Sequence, residues 1–600
     1  MQQTAGIGKT SADATPDGRL DSTAPTEGVL YLSTVGDGFD PGRDVAFGPH
    51  CFLGRQNAVS SWWDFAFVDP FPDNQASAST QKDIGVLIEG LLPGLVDRLN
   101  ARHGTTHSAA FWRLIVLPWL IELAQRAWLS YATLREIKNR TAGRPLRVEV
   151  LKAPPRARFV DTGQFFNALL RDVDFNWWID SEVAAVLAPS SWTLLPSKPT
   201  SPAPTATERP PAPAPDSVLR QAMRTMKYCL GYSDIVGIRW SGLLLAVYAN
   251  LLPKTPIRMP AGPPTRVRGE TAFPEDFLDL LARLIDITMP DSMLDGFANL
   301  AARARRLPYR AGRLRLGTLD LWNDREKVIA AFAREAREKL VICQHGGMYG
   351  VFRYNLLVHE VELRSNIFLS WGWTLDEDTG GHIVPLPSPF LSKLANRHKR
   401  RNGSLIVVGN PVRLRLSRIM DGGPRWAGWL RYCEHTLDFL RGLSDDIRDA
   451  VIFRPYVKTA SDIDIGEVVS RQYPKMPMLV GDLHAAMMSC RLLVIGNCST
   501  TLNIALAANV PTVVYWRDEF LNPRPQAAPY FEALKRAGIL FSDAQEAARH
   551  VNRIWPDVEA WWSGADVQDA RRAWAHQYAR TDWLWWWQWM KALARLRTVG

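Results

Sequence analysis

From about residue 314 onward, short apolar runs alternate with segments of helical periodicity, and this alternation restricts the possible folds more than any other feature of the chain. The runs at 313–321, 340–343, 366–370, 404–408, 450–453, 478–480, 492–495 and 513–516 read as strands. Helical segments separate most of them, at 323–338, 425–443, 483–490 and 502–508. Strands alternating with helices imply an α/β fold built on parallel sheets with helices on both faces. In such sheets ligands bind beyond the carboxyl ends of the strands, so the chemistry belongs in the loops that follow them.

The preceding half is more helical. Residues 29–34 read as a first buried strand, 82–100 and 109–138 as helices, and 217–231 and 275–306 as further helices. Residues 109–134 form the most apolar long stretch, but Arg113, Pro118, Glu122 and Arg126 interrupt it, which fits a buried helix better than a membrane span. Residues 196–216 are a Pro/Ala-rich linker or surface loop. Residues 1–28 are small, polar and turn-rich, and are expected to be disordered. Their Gly8-Lys9-Thr10 resembles the end of a phosphate-binding loop, but Gln3 stands where the earlier glycine belongs and no strand precedes it.

Six hundred residues exceed one ordinary core, so several domains are expected. The division expected is a disordered 1–28, a first α/β part over 29–400, a second over 401–562, and a tryptophan-rich C-terminal helix over 563–600. The net charge of +10 admits nucleic acid, an anionic membrane face or phosphorylated substrates as partners. No helix-turn-helix or aromatic RNA-binding motif supports nucleic acid. The six cysteines are scattered without a CxxC pair, which argues against a structural zinc site and a disulfide framework. No apolar signal core stands at the start, so a cytoplasmic enzyme is expected.

Two strand ends carry the strongest chemistry. Leu492-Leu493-Val494-Ile495 runs into Gly496-Asn497-Cys498-Ser499-Thr500-Thr501, where a hydroxyl triplet opens a helix. Free amides and the positive helix end make an anion site, with Ser499, Thr500 and Thr501 as donors to a diphosphate; alternatively Ser499 is only an N-cap. Asn509 suits a left-handed C-cap before Pro511. Leu340-Val341-Ile342-Cys343 runs into Gln344-His345-Gly346-Gly347-Met348-Tyr349-Gly350. Gly346 and Gly347 permit close approach of a ligand to the backbone. His345 titrates near neutrality and is the candidate base, the alternative being a histidine bonding a carbonyl in a tight turn. Tyr349 belongs to the same loop, and Trp371 and Trp373 after the next strand offer a platform for a sugar or are core aromatics.

Other strand ends add candidates. Gly409 and Asn410 follow one strand, with Arg413 and Arg415 beyond. Arg454 and Lys458 follow another and suit phosphate, or Arg454 makes a surface salt bridge. Asp482 either caps a helix or binds a sugar hydroxyl. The acidic pairs Asp376/Asp378 and Asp462/Asp464 have metal-like spacing but are common in solvated loops, and no metal is expected.

At these residues the chain resembles a bacterial family of transferases encoded among O-antigen and other surface-polysaccharide functions. The resemblance rests on Gln344 to Gly350, Leu369-Ser370-Trp371-Gly372-Trp373, Arg454-Pro455-Tyr456, and Asn497 to Thr501 with Leu506-Ala507-Ala508-Asn509-Val510-Pro511-Thr512; Gly48 to Gly54 adds a fainter likeness. More distantly the layout is similar to GT-B glycosyltransferases and to CDP-glycerol glycerophosphotransferases. The resemblance implies two Rossmann-like lobes about a cleft, a nucleotide-activated sugar held by the second, and a glycan or lipid-linked glycan acceptor. It assigns the base to His345 and the donor phosphates to Arg454 and the Ser499, Thr500 and Thr501 loop. In such proteins the following helix often carries a glutamate for the ribose; Asn503 stands there instead, and its amide can bond ribose hydroxyls. No cofactor is expected, since the nucleotide sugar is a substrate.

Trp583, Trp585, Trp586, Trp587 and Trp589 fall in a helical stretch with Lys591, Arg595 and Arg597. Such a helix suits either peripheral contact with the inner face of the membrane or packing against the first lobe.

Overall fold

In the computed structural model the described residues are 27–596, apart from 56–64, 66, 156–157, 201–217, 234, 236–237, 239, 252–271, 365, 400–402, 411, 420–422, 425–427 and 457–461. Residues 1–26 of the expected disordered start and 201–216 of the Pro/Ala-rich segment lie outside them, while Gly28, expected to be disordered, opens a strand.

Three parallel sheets organise the chain. The first holds Val45–Ala46, Gly28–Tyr31, Leu146–Leu151 and Trp192–Ser197 in that spatial order. The second holds Leu314–Gly317, Lys339–Cys343, Ile367–Ser370 and His382–Pro385 in chain order. The third runs Val451–Arg454, Leu405–Val408, Leu492–Ile495, Thr512–Tyr515 and Leu540–Phe541. Every ladder within these sheets is parallel. Two sheets therefore fall within residues 29–400 and one within 401–562. The α/β class read from the alternation is the fold observed. Strands such as Leu405–Val408 and Leu492–Ile495 are buried at every position because helices cover both faces.

The helix Ala109–Arg140 is buried around nearly its whole circumference and packs against Asn74–His103, Val173–Leu187 and Asp324–Glu335. Ser108 caps it by accepting from the Phe111 amide at 3.2 Å. Its interior charges are matched: Arg126 donates to Asp180 at 2.6 Å, and Arg418 pairs with Glu122 at 3.1 Å. Among the described residues no helix is long and apolar enough to cross a membrane.

Two expected elements differ. The helix expected over 275–306 is two, Glu275–Thr288 and Phe297–Arg305. Pro290 forces Met289 out of the helical region, to φ −57° and ψ 125°. The strand expected at 478–480 shrinks to one bridge between Phe453 and Met478, with Val480 89 % exposed.

Beyond the third sheet, Ala565–Tyr578 packs on Thr500–Ala508 and Ala528–Arg536. The chain then returns: the Arg580 amide donates to Trp371 O at 2.9 Å, and the Ser388 amide to Arg580 O at 2.8 Å. The final helix, Trp585–Arg595, packs on Trp240–Leu251 and covers the second sheet with buried Trp589 and Leu593. Trp589 Nε1 donates to Pro387 O at 2.8 Å. Trp583, Trp586 and Trp587 face outward.

Candidate functional site

Counted along the chain, the third sheet has the order 2-1-3-4-5, so the direction of winding reverses between Leu405–Val408 and Leu492–Ile495. In doubly wound sheets this switch point opens a crevice at the carboxyl ends of the two strands. Gly409 and Asn410 leave one strand there, and Gly496 and Asn497 the other. Asn497 Nδ2 donates to Asn410 Oδ1 at 2.6 Å, and the Asn410 amide donates to the Tyr432 hydroxyl at 2.8 Å. Gly496 is required because a Cβ would lie 2.6 Å from that hydroxyl.

Ser499 then caps the helix Thr500–Ala508, its hydroxyl accepting from the Thr501 amide at 3.4 Å. Asn509 ends the helix in the left-handed conformation, with φ 61°. Above the helix start lies a cavity of about 620 Å³, whose wall includes Gly409, Asn410, Arg454, Ser499, Thr500 and Thr501. That volume is in the range of small-molecule sites, roughly 300–1,000 Å³.

Two arginines complete the wall, Arg413 and Arg418. The Arg413 side chain has no hydrogen-bond or ion-pair partner among the described residues, and burial together with the Arg418 charge lowers its pKa. Two close cations, one of them unpaired, favour an anion between them. Arg415, the intervening basic residue, turns the other way into a buried pair with Asp180. Arg454 donates one N–H to Leu479 O at 2.9 Å. Lys458 lies outside the described residues.

Two expected donor contacts are not in the cavity. Asn503 is wholly buried: its Oδ1 accepts from Trp574 Nε1 at 2.9 Å and its Nδ2 donates to Tyr578 O at 3.2 Å. It pegs the helix Thr500–Ala508 to Ala565–Tyr578, which excludes the ribose contact. Asp482 caps Leu483–Met487 through the His484 amide at 2.8 Å and is absent from the cavity wall.

The loop after Lys339–Cys343 meets this helix directly. The Gly347 amide donates to Thr500 Oγ1 at 2.8 Å, so the Thr500 hydroxyl hydrogen remains available to a ligand. Gln344 anchors the loop from below: its Oε1 accepts from the Trp371 amide and from Trp373 Nε1, both at 2.8 Å, and its Nε2 donates to Gly346 O at 2.7 Å. Trp371 and Trp373 are accordingly 4 % and 1 % exposed, so the open stacking platform expected of them does not form. They are core aromatics that fix Gln344. The His345 side chain is 37 % exposed but is not part of this cavity's wall, which its loop touches through the Gly347–Thr500 bond. Partial burial lowers its pKa, with Asp320 opposing, so the imidazole is neutral at neutral pH.

A second cavity of about 380 Å³ adjoins, with Gly347, Tyr349 and Trp373 on one wall and Gln81, Gln125 and Phe166 on the other. Arg413 and Arg418 line both cavities. The acidic pairs are committed elsewhere: Asp376 accepts from Gln526, Asp378 from the Gly380 amide, and Asp464 caps Ile465–Gln472. Among the described residues no group of three or more His, Cys, Asp or Glu is arranged to hold a metal ion.

No curated protein matches the chain significantly. The family model described as LIC12162 family transferase matches residues 29–593, nearly the whole length, and the protein, an enzyme of the transferase class, belongs to that family.

Proposed function

We propose that the protein is a glycosyltransferase that moves a sugar from a nucleotide-activated donor to a hydroxyl of a surface-polysaccharide or O-antigen acceptor, free or lipid-linked. The observation that carries this reading is the cavity at the switch point of the third sheet, whose hydroxyl-bearing helix start is hydrogen-bonded, at Thr500, to the loop that holds His345. In this reading residues 401–562 hold the donor and residues 29–400 the acceptor. Thr500, Thr501, Arg454 and Arg413 stabilise charge on the departing nucleoside diphosphate, where preorganised donors act most strongly. His345 takes the acceptor proton, and Gly346, Gly347 and Tyr349 shape the space between the two substrates. The unpaired Arg413 supports an anionic donor, and the adjoining cavity with its buried glutamines and aromatic rings supports a hydroxyl-rich acceptor.

A thermal-shift panel of nucleoside diphosphates and nucleotide sugars tests the reading, because a ligand that binds only the folded state at a hundred times its Kd adds about 2.7 kcal/mol of stability. Binding of at least one of them, with His345→Ala binding it equally but transferring nothing, is the expected result. A flat panel would end the donor reading. Release of a nucleoside monophosphate instead of a diphosphate would make the protein a polyol-phosphate transferase on the same frame.

A further inference from the structure

Beside His345 stands a buried carboxyl that the proposed reaction leaves unused. Glu362 is 2 % exposed and sits in the π-helical turn Val358–Leu363, a form that recurs at functional positions. The Tyr349 hydroxyl donates to Glu362 Oε1 at 3.1 Å and lies 3.2 Å from His345 Nε2. Glu362 Oε2 has no hydrogen-bond partner and lies 3.9 Å from His345 Nδ1. Tyr349 is held in place by stacking on Phe368 at 5.9 Å and 15°. A buried, half-satisfied carboxyl aimed at an imidazole is costly unless it has a use.

We propose that Glu362 is a positioning residue for His345: its carboxyl holds the Tyr349 hydroxyl, and through it the imidazole, so that the three side chains exchange protons as one unit. The proposal rests on the reading of His345 as the base. With its hydrogen given to Glu362, the Tyr349 oxygen can only accept. The Tyr349 oxygen lies 3.4 Å from Nδ1 as well as 3.2 Å from Nε2; with the hydrogen on Nδ1, the nitrogen 3.9 Å from Glu362 Oε2, Nε2 keeps its lone pair for the acceptor hydroxyl. In the reaction the acceptor O–H bond breaks, its proton forms an N–H bond on that nitrogen, and the imidazole becomes imidazolium. If Glu362 is ionised the buried pair ends without net charge. If it is protonated the pair ends with one positive charge in a buried place, which is less favourable.

Burial pushes the Glu362 pKa up to about 8, against the Tyr349 hydrogen bond. Base strength at His345 therefore rises as pH passes through that region. The other charged groups nearby do not address Glu362. Arg113 from the helix Ala109–Arg140, Arg364 and Glu89 gather on Glu360, and Asp320 acts on His345. Among the described residues His345 is the one cation-forming side chain in ion-pair range of Glu362.

The test is a pH titration of the full-length protein carrying ring-¹⁵N histidine, with the His345 resonances identified by their loss in His345→Gln. The expected trace has two steps, one below 6.5 from the imidazole and one near 8 from Glu362. Glu362→Gln should remove the upper step alone, while Glu360→Gln, which changes the neighbouring buried carboxylate, should keep both. A single step in the unaltered protein, or an upper step that survives Glu362→Gln, overturns the proposal. If Glu362→Gln does not melt cooperatively, Tyr349→Phe replaces it: the upper step should shrink by more than half, and an unchanged step overturns the proposal. The titration needs no substrate, so its failure leaves the donor reading standing, and failure of the nucleotide panel leaves the titration unaffected.

Discussion

A Cβ on Gly347 would lie 2.7 Å from Thr500 Cα and 2.8 Å from the Thr500 nitrogen, both backbone atoms that cannot swing aside. Gly347→Ala should part the two loops and break the 2.8 Å bond to Thr500. Because the contact lies at the edge of the cleft, the expected outcome is loss of transfer by roughly tenfold or more, that is at least about 1.4 kcal/mol of transition-state stabilisation, with only a small change in melting temperature. Activity within twofold of the parent would show that the loops need not touch. Arg413→Ala makes a second test: removal of a cation whose side chain makes no hydrogen bond or ion pair among the described residues should weaken nucleoside diphosphate binding at least tenfold in calorimetry and leave stability nearly unchanged. The position of His345 and its glycines at a strand end was legible in the sequence, because the buried apolar run before them stops at Cys343. Arg413 and Arg418 were not, because arginines two and five residues apart look the same whether they face solvent, a cavity or, as Arg415 does, a buried carboxylate. Trp371 and Asn503 were misassigned for a related reason: position at a strand end or in a first helical turn does not say which way a side chain points, and both point into the core, while Trp373, also buried, keeps a place in the wall of the second cavity.

At the scale of elements, strands buried on both faces announced themselves. The run Leu492–Ile495 was read with its observed limits, because four apolar residues between Arg491 and Gly496 leave no other boundary. The first sheet was largely missed. Leu146–Leu151 alternates exposed and buried positions and carries Arg147 and Glu149, so it lacks the continuous apolar signal of a doubly covered strand. The C-terminal helix was read as packing back on residues 29–400, where it does pack, but the face it buries was not legible, because tryptophans occur on several of its faces. The structure divides them: Trp589 and Leu593 close the core over the second sheet, while Trp586 and Trp587 remain outside. Leu593→Ala should therefore cost about 2–5 kcal/mol in urea unfolding, the usual range for truncating a fully buried leucine. Trp586→Ser should change stability by no more than about 0.5 kcal/mol. Equal effects from the two substitutions would mean that the helix does not seat on the sheet in this register.

Across the whole molecule, the first and third sheets are joined by buried charge. Asp180, on the helix Val173–Leu187 that backs the first sheet, accepts from Arg126 at 2.6 Å and Ser130 at 2.7 Å, and pairs with Arg415 from the loop beyond Leu405–Val408. Removal of one partner from such a cluster strands the rest, so Asp180→Ala should cost about 3–5 kcal/mol. His50 lies in the same cluster, bonded to Leu32 O at 3.2 Å, and burial with the adjacent Arg415 charge drives its pKa well below the ordinary value of 6.5. His550, lowered to about 4 by burial and by Arg553, behaves alike in the third sheet's outer helix. Both groups have depressed folded-state values. Unfolding below pH 6.5 therefore takes up protons that the folded chain refuses, and stability falls as pH falls from 6.5 toward the folded pKa of each. Asp180, whose pKa is lowered by Arg126 and Arg415 against its burial, acts in the same direction but only below the ordinary aspartate range. Between pH 6.5 and 5 the two histidines should thus remove stability at up to about 1.4 kcal/mol per pH unit each. Urea midpoints measured at pH 7.5, 6.5 and 5.5 should turn downward over the second interval relative to the first, while Glu362, with its folded pKa of about 8, adds stability as pH falls through both. The double change His50→Gln and His550→Gln should lessen the fall over the second interval, leaving the share of His345 and His435, whose pKa values burial also lowers, whatever it does to stability at pH 7.5. A fall that persists undiminished in that variant would assign the acid sensitivity to groups outside the two clusters, and the joint between the sheets would then be insensitive to protons over that interval.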